Sequence, residues 1–129
     1  MNILITGSNG QLGNEMRVLS QSYPNHTYFF TDVEDLDITC RAAVTDFVAK
    51  NNIDLIVNCA AYTNVDKAEE DEATAMRINA EALSVLGSQG IRVIHVSTDY
   101  VFSGEEHKPC RESDHTAPRT VYGHTKYEG

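Results

Sequence analysis

The chain has 129 residues, of which 41% are hydrophobic, and a formal net charge of −9 at pH 7. This length predicts a single domain, and the negative charge argues against nucleic acid or an anionic membrane as a partner. No apolar run is long enough to cross a membrane, and the three widely spaced cysteines form neither a metal-binding nor a disulfide pattern. We therefore expect a cytoplasmic protein.

The N-terminal segment MNILITGSNGQLG joins an apolar run to a glycine cluster. The run has no polar alternation, which is typical of a strand buried on both faces of a parallel sheet. Gly7, Gly10 and Gly13 then follow at G-x-x-G-x-x-G spacing, where they allow a tight turn, a close approach to a pyrophosphate, and close packing of the next helix. The alternative is an ordinary strand-to-helix turn. Since a helix pattern follows, we predict a dinucleotide-binding turn with phosphates at the helix N-terminus.

The next elements predict a βαβ unit. A first helix is expected from about Gln11 to Ser22, with an apolar pattern of Leu12, Met16 and Leu19, and a second strand from Thr27 to Thr31. Asp32 follows that strand directly. A carboxylate at this point accepts hydrogen bonds from the adenosine ribose in dinucleotide-binding folds, although a turn aspartate is the ordinary alternative.

The second strand is not accompanied by a basic side chain. No Lys or Arg lies between Val18 and Cys40, where a site built for a 2′-phosphate usually offers one. We therefore expect NADH to be used, with NADPH not excluded. Asp37 and Ile38 either flank the adenine or belong to a plain loop.

The middle of the chain predicts two further strand–helix units. Thr39 is expected to cap a helix with an apolar stripe of Val44, Phe47 and Val48, followed by a strand over 54–58. A helix is expected over 73–88, with Met76, Ala80, Leu83 and Gly87 on one face, and a strand over 91–96. Cys59 is expected to be a small buried side chain, His95 a hydrogen-bonded core residue, and Asn79 either a core amide or a water-ordering group.

Hydroxyl, phenol and amine groups follow the fourth predicted strand. Ser97 and Thr98 come directly after it, and Tyr122 and Lys126 are four residues apart, so that they share one face of a helix. A ketone that accepts hydride needs a proton, and the pKa of a tyrosine, about 10, is too high for efficient exchange near neutrality. A nearby lysine ammonium favours the phenolate and lowers that pKa. The set predicts a ketone reductase, against the alternative of two exposed helix residues.

The sequence resembles the extended short-chain dehydrogenase/reductases, and among them the dTDP-4-dehydrorhamnose reductase family. The segments that carry the resemblance are NILITGSNGQLG, VNCAAYTNVDKAE, STDYVFSG and the final VYGHTKYEG. The resemblance implies a three-layer Rossmann-like fold, a doubly wound parallel sheet with helices on both faces. It also implies reduction of the 4-keto group of a dTDP-linked 6-deoxyhexulose to dTDP-rhamnose, with hydride from NADPH or NADH.

The resemblance also implies roles for individual residues. Thr98 would be the hydroxyl partner, Tyr122 the proton donor, and Lys126 the ribose-binding group that lowers the tyrosine pKa. The remaining cofactor-binding positions would be Gly7, Asn9, Gly10, Gln11, Leu12, Gly13, Asp32, Asp37, Ile38, Ala60, Ala61 and Tyr62. Asp99, Tyr100 and Val101 would face the sugar. Some family members bind magnesium at a dimer contact, where Glu15 is a conceivable ligand, but we assign no metal residue.

Members of this family are much longer. We therefore expect residues 1–129 to form an incomplete NAD(P)-binding domain that lacks the C-terminal substrate-binding region and is inactive alone. We also expect a homodimer, since some family members share a dimer contact. Two alternatives remain. One is another nucleotide-sugar epimerase or dehydratase of the same superfamily, and the other is a regulatory subunit that binds NADP without turnover.

Overall fold

The computed structural model describes residues 1–105 and 109–129 of the chain. Its strands are β1 (Asn2–Thr6), β2 (Thr27–Thr31), β3 (Leu55–Asn58) and β4 (Arg92–His95). Its α-helices are α1 (Gln11–Ser20), α2 (Arg41–Asn51), α3 (Val65–Glu70), α4 (Glu72–Met76), α5 (Ala82–Gly87) and α6 (Val121–Glu128). A π-helical segment (Arg77–Glu81) joins α4 to α5, and a 3₁₀ turn (Asp99–Val101) follows β4. None of the described helices has the length and hydropathy that a membrane span requires.

The four strands form one parallel sheet in the order β2-β1-β3-β4. The chain moves outward from β1 to β2 on one side, then returns to build β3 and β4 on the other. The strand order therefore reverses between β1 and β3, and ligands of open α/β sheets bind at such a point, outside the carboxyl ends of the strands. The predicted doubly wound, Rossmann-like fold is confirmed.

Side-chain alternation along the strands builds a separate core on each face of the sheet. On one face, Leu4 and Ile56 pack with residues of α2 and α5, including Val44 and Leu86. On the other face, Ile3, Ile5 and Val57 pack with Met16 of α1. This second core does not extend to β4, where Ile94 is 53% exposed. Helices thus cover both faces, as predicted, but the α1 side is covered mainly over β1 and β2.

The helix predicted over 73–88 is interrupted by the π-helical segment. Its buried residues are Ala75, Asn79, Ala82, Val85 and Leu86, whereas Gly87 of the predicted apolar face is exposed. The predicted face was therefore wrong by one position. Asn79, for which a core amide was one of the two alternatives, lies in this buried row.

Two smaller predictions, about the start of α2 and the apolar face of α1, were also wrong. The N-cap of α2 is Cys40, which makes no side-chain cap hydrogen bond, so that Thr39 lies one residue before the N-cap position, where its hydroxyl donates to Asp37 Oδ1 at 2.7 Å. In α1, Leu12 and Leu19 are 41% and 49% exposed, so that Met16 is the member of the predicted apolar pattern that packs on the sheet.

Candidate nucleotide-binding and catalytic site

A cavity of about 650 Å³ lies at the carboxyl ends of the strands. It is bordered by the loops that follow β1, β2, β3 and β4, and by α6. Its lining residues are Gly7, Gly10, Gln11, Leu12, Asp32, Val33, Leu36, Asp37, Ile38, Thr39, Asn58, Cys59, Ala60, Ala61, Thr63, Ile78, Val96, Ser97, Tyr122 and Lys126. The fold therefore gathers residues from six separate segments, the four loops, the π-helical segment (Ile78) and α6, at the point where the strand order reverses.

The glycine loop is shaped by backbone contacts that leave no room for side chains. Gly7 has φ +64°, and a Cβ there would lie 2.6 Å from the backbone N of Ala60. A Cβ on Gly13 would lie 2.5 Å from the carbonyl oxygen of Gly7. Gly7 thus provides a left-handed turn beside β3, and Gly13 brings α1 against the loop. Both predicted roles are consistent with this geometry.

The N-terminus of α1 opens toward the cavity. Gly10 is its N-cap and offers no side chain, and the first-turn residues Gln11 and Leu12 line the cavity. The first amides of a helix have no partner within the helix, and the helix dipole adds positive potential there. These amides can bind phosphate oxygens without help from Lys or Arg.

Asp32 stands at the rim of the cavity, at the end of β2. Its Oδ2 accepts a hydrogen bond from the backbone N of Asn9 at 3.0 Å, and its Oδ1 accepts one from Val33 at 2.8 Å. The carboxylate thereby joins the glycine loop to the β2 loop. Each oxygen keeps a second lone pair, so that the group can still accept hydrogen bonds from a diol.

Asp37 and Ile38 line the same end of the cavity. Hydrogen bonds from the side chain and the backbone of Thr39 lower the pKa of Asp37. Asp37 is therefore a carboxylate at neutral pH. Ile38 is 8% exposed and belongs to the core cluster under α2, so that it presents a firmly packed apolar wall.

Tyr122 and Lys126 both line the cavity from α6, as their spacing predicts. The Thr120 side chain caps this helix by accepting from Gly123 N at 3.0 Å. Lys126 is 3% exposed, and its Nζ donates to the carbonyl oxygen of Val96 at 2.7 Å. Burial lowers the pKa of Lys126 to about 8. The amine is therefore held in a partly desolvated position at the wall of the cavity that Tyr122 also lines.

The two hydroxyls after β4 differ in their surroundings. Ser97 lines the cavity, whereas Thr98 does not, although it is half-buried close by. Thr98 Oγ1 accepts from Tyr100 N and donates to Asp99 Oδ1, both at 3.3 Å. Thr98 thus caps the 3₁₀ turn, and its part in catalysis stays a prediction.

A second, smaller cavity of about 240 Å³ lies beyond Tyr122. It is lined by Asp99, Tyr100, Phe102, Ser103, Gly104, Arg119 and Thr120, and Arg119 forms an ion pair with Glu105. The ring of Tyr100 packs edge-on against Tyr122, with centroids 5.6 Å apart. Val101 is buried and lines neither cavity. Of the three residues predicted to face a sugar, two line this space.

Three other predicted cofactor residues act on the cavity indirectly or not at all. Asn9 holds Asp32, Gly13 packs against the loop, and Tyr62 pairs through its backbone with Asn79. None of them is among the residues that line the cavity. Ala60 and Ala61 do line it, as predicted.

The contacts and burial of Asn79 and Cys59 show what these two residues do in the structure. Asn79 accepts from Tyr62 N at 2.8 Å and donates to Thr125 Oγ1 at 3.0 Å, which makes it a satisfied core amide. Burial raises the pKa of the Cys59 thiol, so that this side chain is protonated and not a nucleophilic thiolate.

Sequence reasoning missed the polar contacts behind Lys126. Asn58 Nδ2 lies 3.0 Å from His95 Nδ1, and His95 Nε2 lies 3.0 Å from Lys126 Nζ. A signal was present, since Asn58 ends β3 and His95 ends β4, and ends of neighbouring parallel strands meet at one edge of a sheet. Only the register, which pairs these two residues, joins them to Lys126.

Comparison with known proteins places this site in a family context. Residues 1–129 match the model of the RmlD substrate binding domain family. The chain is 43% identical over 136 residues to a Streptomyces antibioticus protein named "probable dTDP-4,6-dihydroxy-2-methyloxan-3-one 4-ketoreductase", covering 100% of the chain and 45% of that protein.

Solved structures agree with this likeness. A dTDP-4-dehydrorhamnose reductase from Clostridium acetobutylicum is 43% identical, with a TM-score of 0.92 over 99% of this chain and 47% of that one. A dTDP-4-dehydrorhamnose reductase from Bacillus anthracis in complex with NADP is 34% identical, with a TM-score of 0.92 over 98% of this chain and 46% of that one.

The chain spans about half the length of the relatives it matches, and the match extends over all of its own residues. The shared segments include the glycine loop, the strand ends and α6, which together border the larger cavity. The chain therefore belongs to the RmlD substrate binding domain family.

Proposed function

We propose that the protein containing this chain reduces the 4-keto group of a dTDP-linked 6-deoxy-4-hexulose, with NADPH or NADH as the reductant. Residues 1–129 are its NAD(P)-binding part, and the rest of the substrate site lies outside them. One observation carries this proposal. A single cavity brings together an uncapped helix N-terminus, a strand-end carboxylate and the Tyr122–Lys126 pair.

The cavity fits a dinucleotide along its length. Gly7, Gly10 and α1 present backbone amides for the pyrophosphate, because side chains are excluded from the loop. Asp32 accepts hydrogen bonds from the adenosine ribose, and Asp37 and Ile38 border the adenine. Ala60 and Ala61 leave space for the chain of the cofactor between the two ends. Bound there, a reduced nicotinamide supplies hydride.

The residues at the other end of the cavity handle the proton. Tyr122 donates it to the carbonyl oxygen of the sugar, and Lys126 holds the nicotinamide ribose and stabilises the phenolate that results. Thr98 or Ser97 orients the carbonyl. Ser97 has the better position, since it lines the cavity.

The smaller cavity beside Tyr100 is the natural place for part of the sugar. Tyr100 contacts Tyr122 through its ring, so that a ligand in this cavity lies next to the proton donor. Asp99 and Arg119 supply polar groups there. The relatives' names include different deoxysugars, and we therefore propose the class of substrate and not one compound.

The carboxylate of Asp32 bears on the choice between the two cofactors. Its two oxygens already accept from Asn9 and Val33, and a 2′-phosphate would add negative charge beside it. We propose that NADH is used as well as NADPH. The Bacillus anthracis relative was solved in complex with NADP, and the assay must therefore include NADPH.

The test is an absorbance assay at the nicotinamide band with the protein at its full length. A dTDP-4-keto-6-deoxy sugar is added with NADH and NADPH in parallel. We expect stoichiometric loss of the reduced cofactor, and the two rates rank the cofactors. A protein that binds the cofactor but consumes none would overturn the reductase assignment.

The product of the same assay separates the alternatives. An epimerase or dehydratase would convert the sugar without net consumption of NAD(P)H, and a regulatory subunit would leave it unchanged. The magnesium ion and the homodimer that the family resemblance implies stay predictions. Size measurement with and without magnesium tests both.

A further inference from the structure

A row of hydrogen bonds connects β1 with α6 behind the wall of the larger cavity. Thr6 Oγ1 donates to Asn58 Oδ1 at 2.5 Å, Asn58 Nδ2 lies 3.0 Å from His95 Nδ1, and His95 Nε2 lies 3.0 Å from Lys126 Nζ. Thr6, Asn58 and Lys126 are 1–3% exposed, and His95 is half-buried. His95 does not line the cavity, so that it acts on the site through Lys126.

The backbone of Ala60 determines which way the Asn58 amide faces. The N–H of Ala60 donates to Asn58 Oδ1 at 3.3 Å, and a backbone N–H cannot accept. Asn58 therefore presents its oxygen to Ala60 and its Nδ2 to His95. His95 Nδ1 must accept, and the single proton of the neutral ring then lies on Nε2.

That proton points at Lys126 Nζ. A neutral amine has a lone pair that accepts it, and its own hydrogens serve the Val96 carbonyl oxygen and the cavity. An ammonium has no lone pair, so its N–H donors would face another donor, the Nε2–H group of His95. Relief requires two changes: the ring proton moves to Nδ1, and the Asn58 amide turns over and gives up the hydrogen bonds that its oxygen accepts from Ala60 N and Thr6 Oγ1.

We propose that His95 is a positioning residue for Lys126, and that its tautomer changes with the charge of that lysine. The ring carries its proton on Nε2 when Lys126 is a neutral amine, and on Nδ1 when Lys126 is an ammonium. The ammonium takes its proton from solvent. The ring exchanges one proton for another and stays neutral. This inference rests on the proposed function and extends it, because it identifies His95 as the side chain that regulates the proposed ribose-binding lysine.

His95 is the polar side chain that contacts the amine of Lys126, because the nearby carboxylates bind other groups. Glu69 of α3 accepts from Val121 N at 2.9 Å, and Asp99 of the 3₁₀ turn accepts from Thr98. Across residues 1–105 and 109–129, no carboxylate lies within ion-pair distance of Lys126 Nζ. Tyr122 is the titratable group one turn earlier on α6.

The ring and the amine titrate in separate pH ranges. Burial, together with the charge of Lys126, lowers the pKa of His95 to about 4. Burial lowers the pKa of Lys126 to about 8. The His95 ring is thus neutral while Lys126 titrates, and its tautomer is well defined on both sides of that change.

The decisive measurement is NMR on the full-length protein without cofactor. The probes are ¹⁵N-labelled histidine and lysine labelled with ¹³C at Cε, assigned with His95→Gln and Lys126→Arg. We expect the His95 proton on Nε2 at high pH and on Nδ1 at low pH, with the same midpoint as the Lys126 titration. One tautomer at all pH values, or two different midpoints, overturns the proposal.

A variant tests whether His95 sets the charge of Lys126. Glutamine in place of His95 can present its oxygen to an ammonium, so His95→Gln should lower the acid dissociation constant of Lys126 roughly fivefold to tenfold. His124→Gln, on the exposed side of the same helix, should leave it unchanged. An unchanged constant in His95→Gln contradicts the proposal.

Neither measurement depends on turnover. A protein that consumes no NAD(P)H overturns the proposed function, while the tautomer and the lysine titration still decide this inference. If His95→Gln does not fold, the wild-type tautomer measurement decides it, with the His95 signals assigned as those that shift in Lys126→Arg.

Discussion

At the scale of single residues, the proposed chemistry depends on Tyr122. Its ring lies between the larger cavity and Tyr100, and Lys126 lies one turn further along α6. The phenol lines the cavity from the same helix as Lys126, and it is the group to which we assign the proton transfer. Loss of the hydroxyl should therefore affect turnover far more than binding.

Tyr122→Phe should lower the rate of NAD(P)H consumption at least about a hundredfold, the usual contribution of a positioned general acid. Cofactor affinity should change little, because the ring keeps its packing against Tyr100. Rates and cofactor titrations measure the two effects. Tyr127→Phe, 51% exposed on the same helix, is the control and should keep the wild-type rate. Near-normal turnover in Tyr122→Phe would mean that another group donates the proton.

Lys126 also makes stability depend on pH. Its pKa in the folded protein, about 8, lies below 10.5, the ordinary lysine value. Between these values the unfolded chain holds a proton that the folded chain has released, so the free energy of unfolding rises with pH across that interval.

Lys126→Met should abolish this rise. Relative to the variant, wild-type protein should gain roughly 2 kcal/mol between pH values of about 7.5 and 9.5. Urea unfolding at both pH values measures the difference. Lys50→Met, at an exposed position in α2, should behave as wild type. A wild-type curve parallel to that of Lys126→Met would show that the amine keeps an ordinary pKa.

At the scale of elements, α1 and its loop depend on contacts that exclude a Cβ. Gly13 is the clearest case, because its neighbours are backbone atoms that cannot rotate away. The same is true of Gly123 in α6, where a Cβ would lie close to the carbonyl oxygen of Tyr100. The two helices that carry proposed functional groups, α1 and α6, therefore pack closely against backbone atoms of neighbouring segments.

Gly13→Ala should displace α1 from the loop. We expect a loss of about 1–3 kcal/mol in stability, together with weaker cofactor binding. Gly87→Ala is the matched control, since a Cβ there meets nothing within 4 Å in α5. It should be neutral or slightly stabilising, because alanine is the better helix former. Denaturant unfolding and cofactor titration compare the two. Equal stability of both variants would contradict the close packing.

At the scale of the whole molecule, the two faces of the sheet differ in how well they are covered. Ile56 in β3 is 0% exposed, whereas Ile94 in the neighbouring β4 is 53% exposed. An isoleucine side chain is therefore expected to contribute differently to stability in these two adjacent strands. The reason is that α1 covers the side of β1 and β2, while α2 and α5 cover the opposite face.

Ile56→Ala should cost about 2–5 kcal/mol in chain 1–129, the range for truncation of a buried aliphatic side chain. Ile94→Ala should cost less than about 1 kcal/mol, because little apolar area is lost from a half-exposed site. Denaturant unfolding of residues 1–129 compares them. A large cost for Ile94→Ala would mean that a second copy of the chain covers this face.

Much of the fold was predictable because its signals are local. The unbroken apolar runs of β1 and β3, the glycine spacing and the Tyr122–Lys126 interval each lie within a few residues, and the structure agrees with each. The predicted face of the 73–88 helix was wrong by one position, because the buried row follows contacts with segments far away in sequence, such as those of Asn79 with Tyr62 and Thr125. Thr39 was predicted as a cap from its position, but the N-cap position of α2 falls on the next residue, Cys40.

The sequence by itself determined that this is a parallel α/β sheet with a dinucleotide-binding turn at its first strand, since those properties follow from apolar runs and glycine positions, and its family resemblance implied the doubly wound order. Only the tertiary structure decided which polar groups meet. Strand register places Asn58 beside His95, and the packing of α6 then brings Lys126 to the far nitrogen of that ring. Contacts between segments tens of residues apart depend on register and helix placement, and no local pattern carries that information.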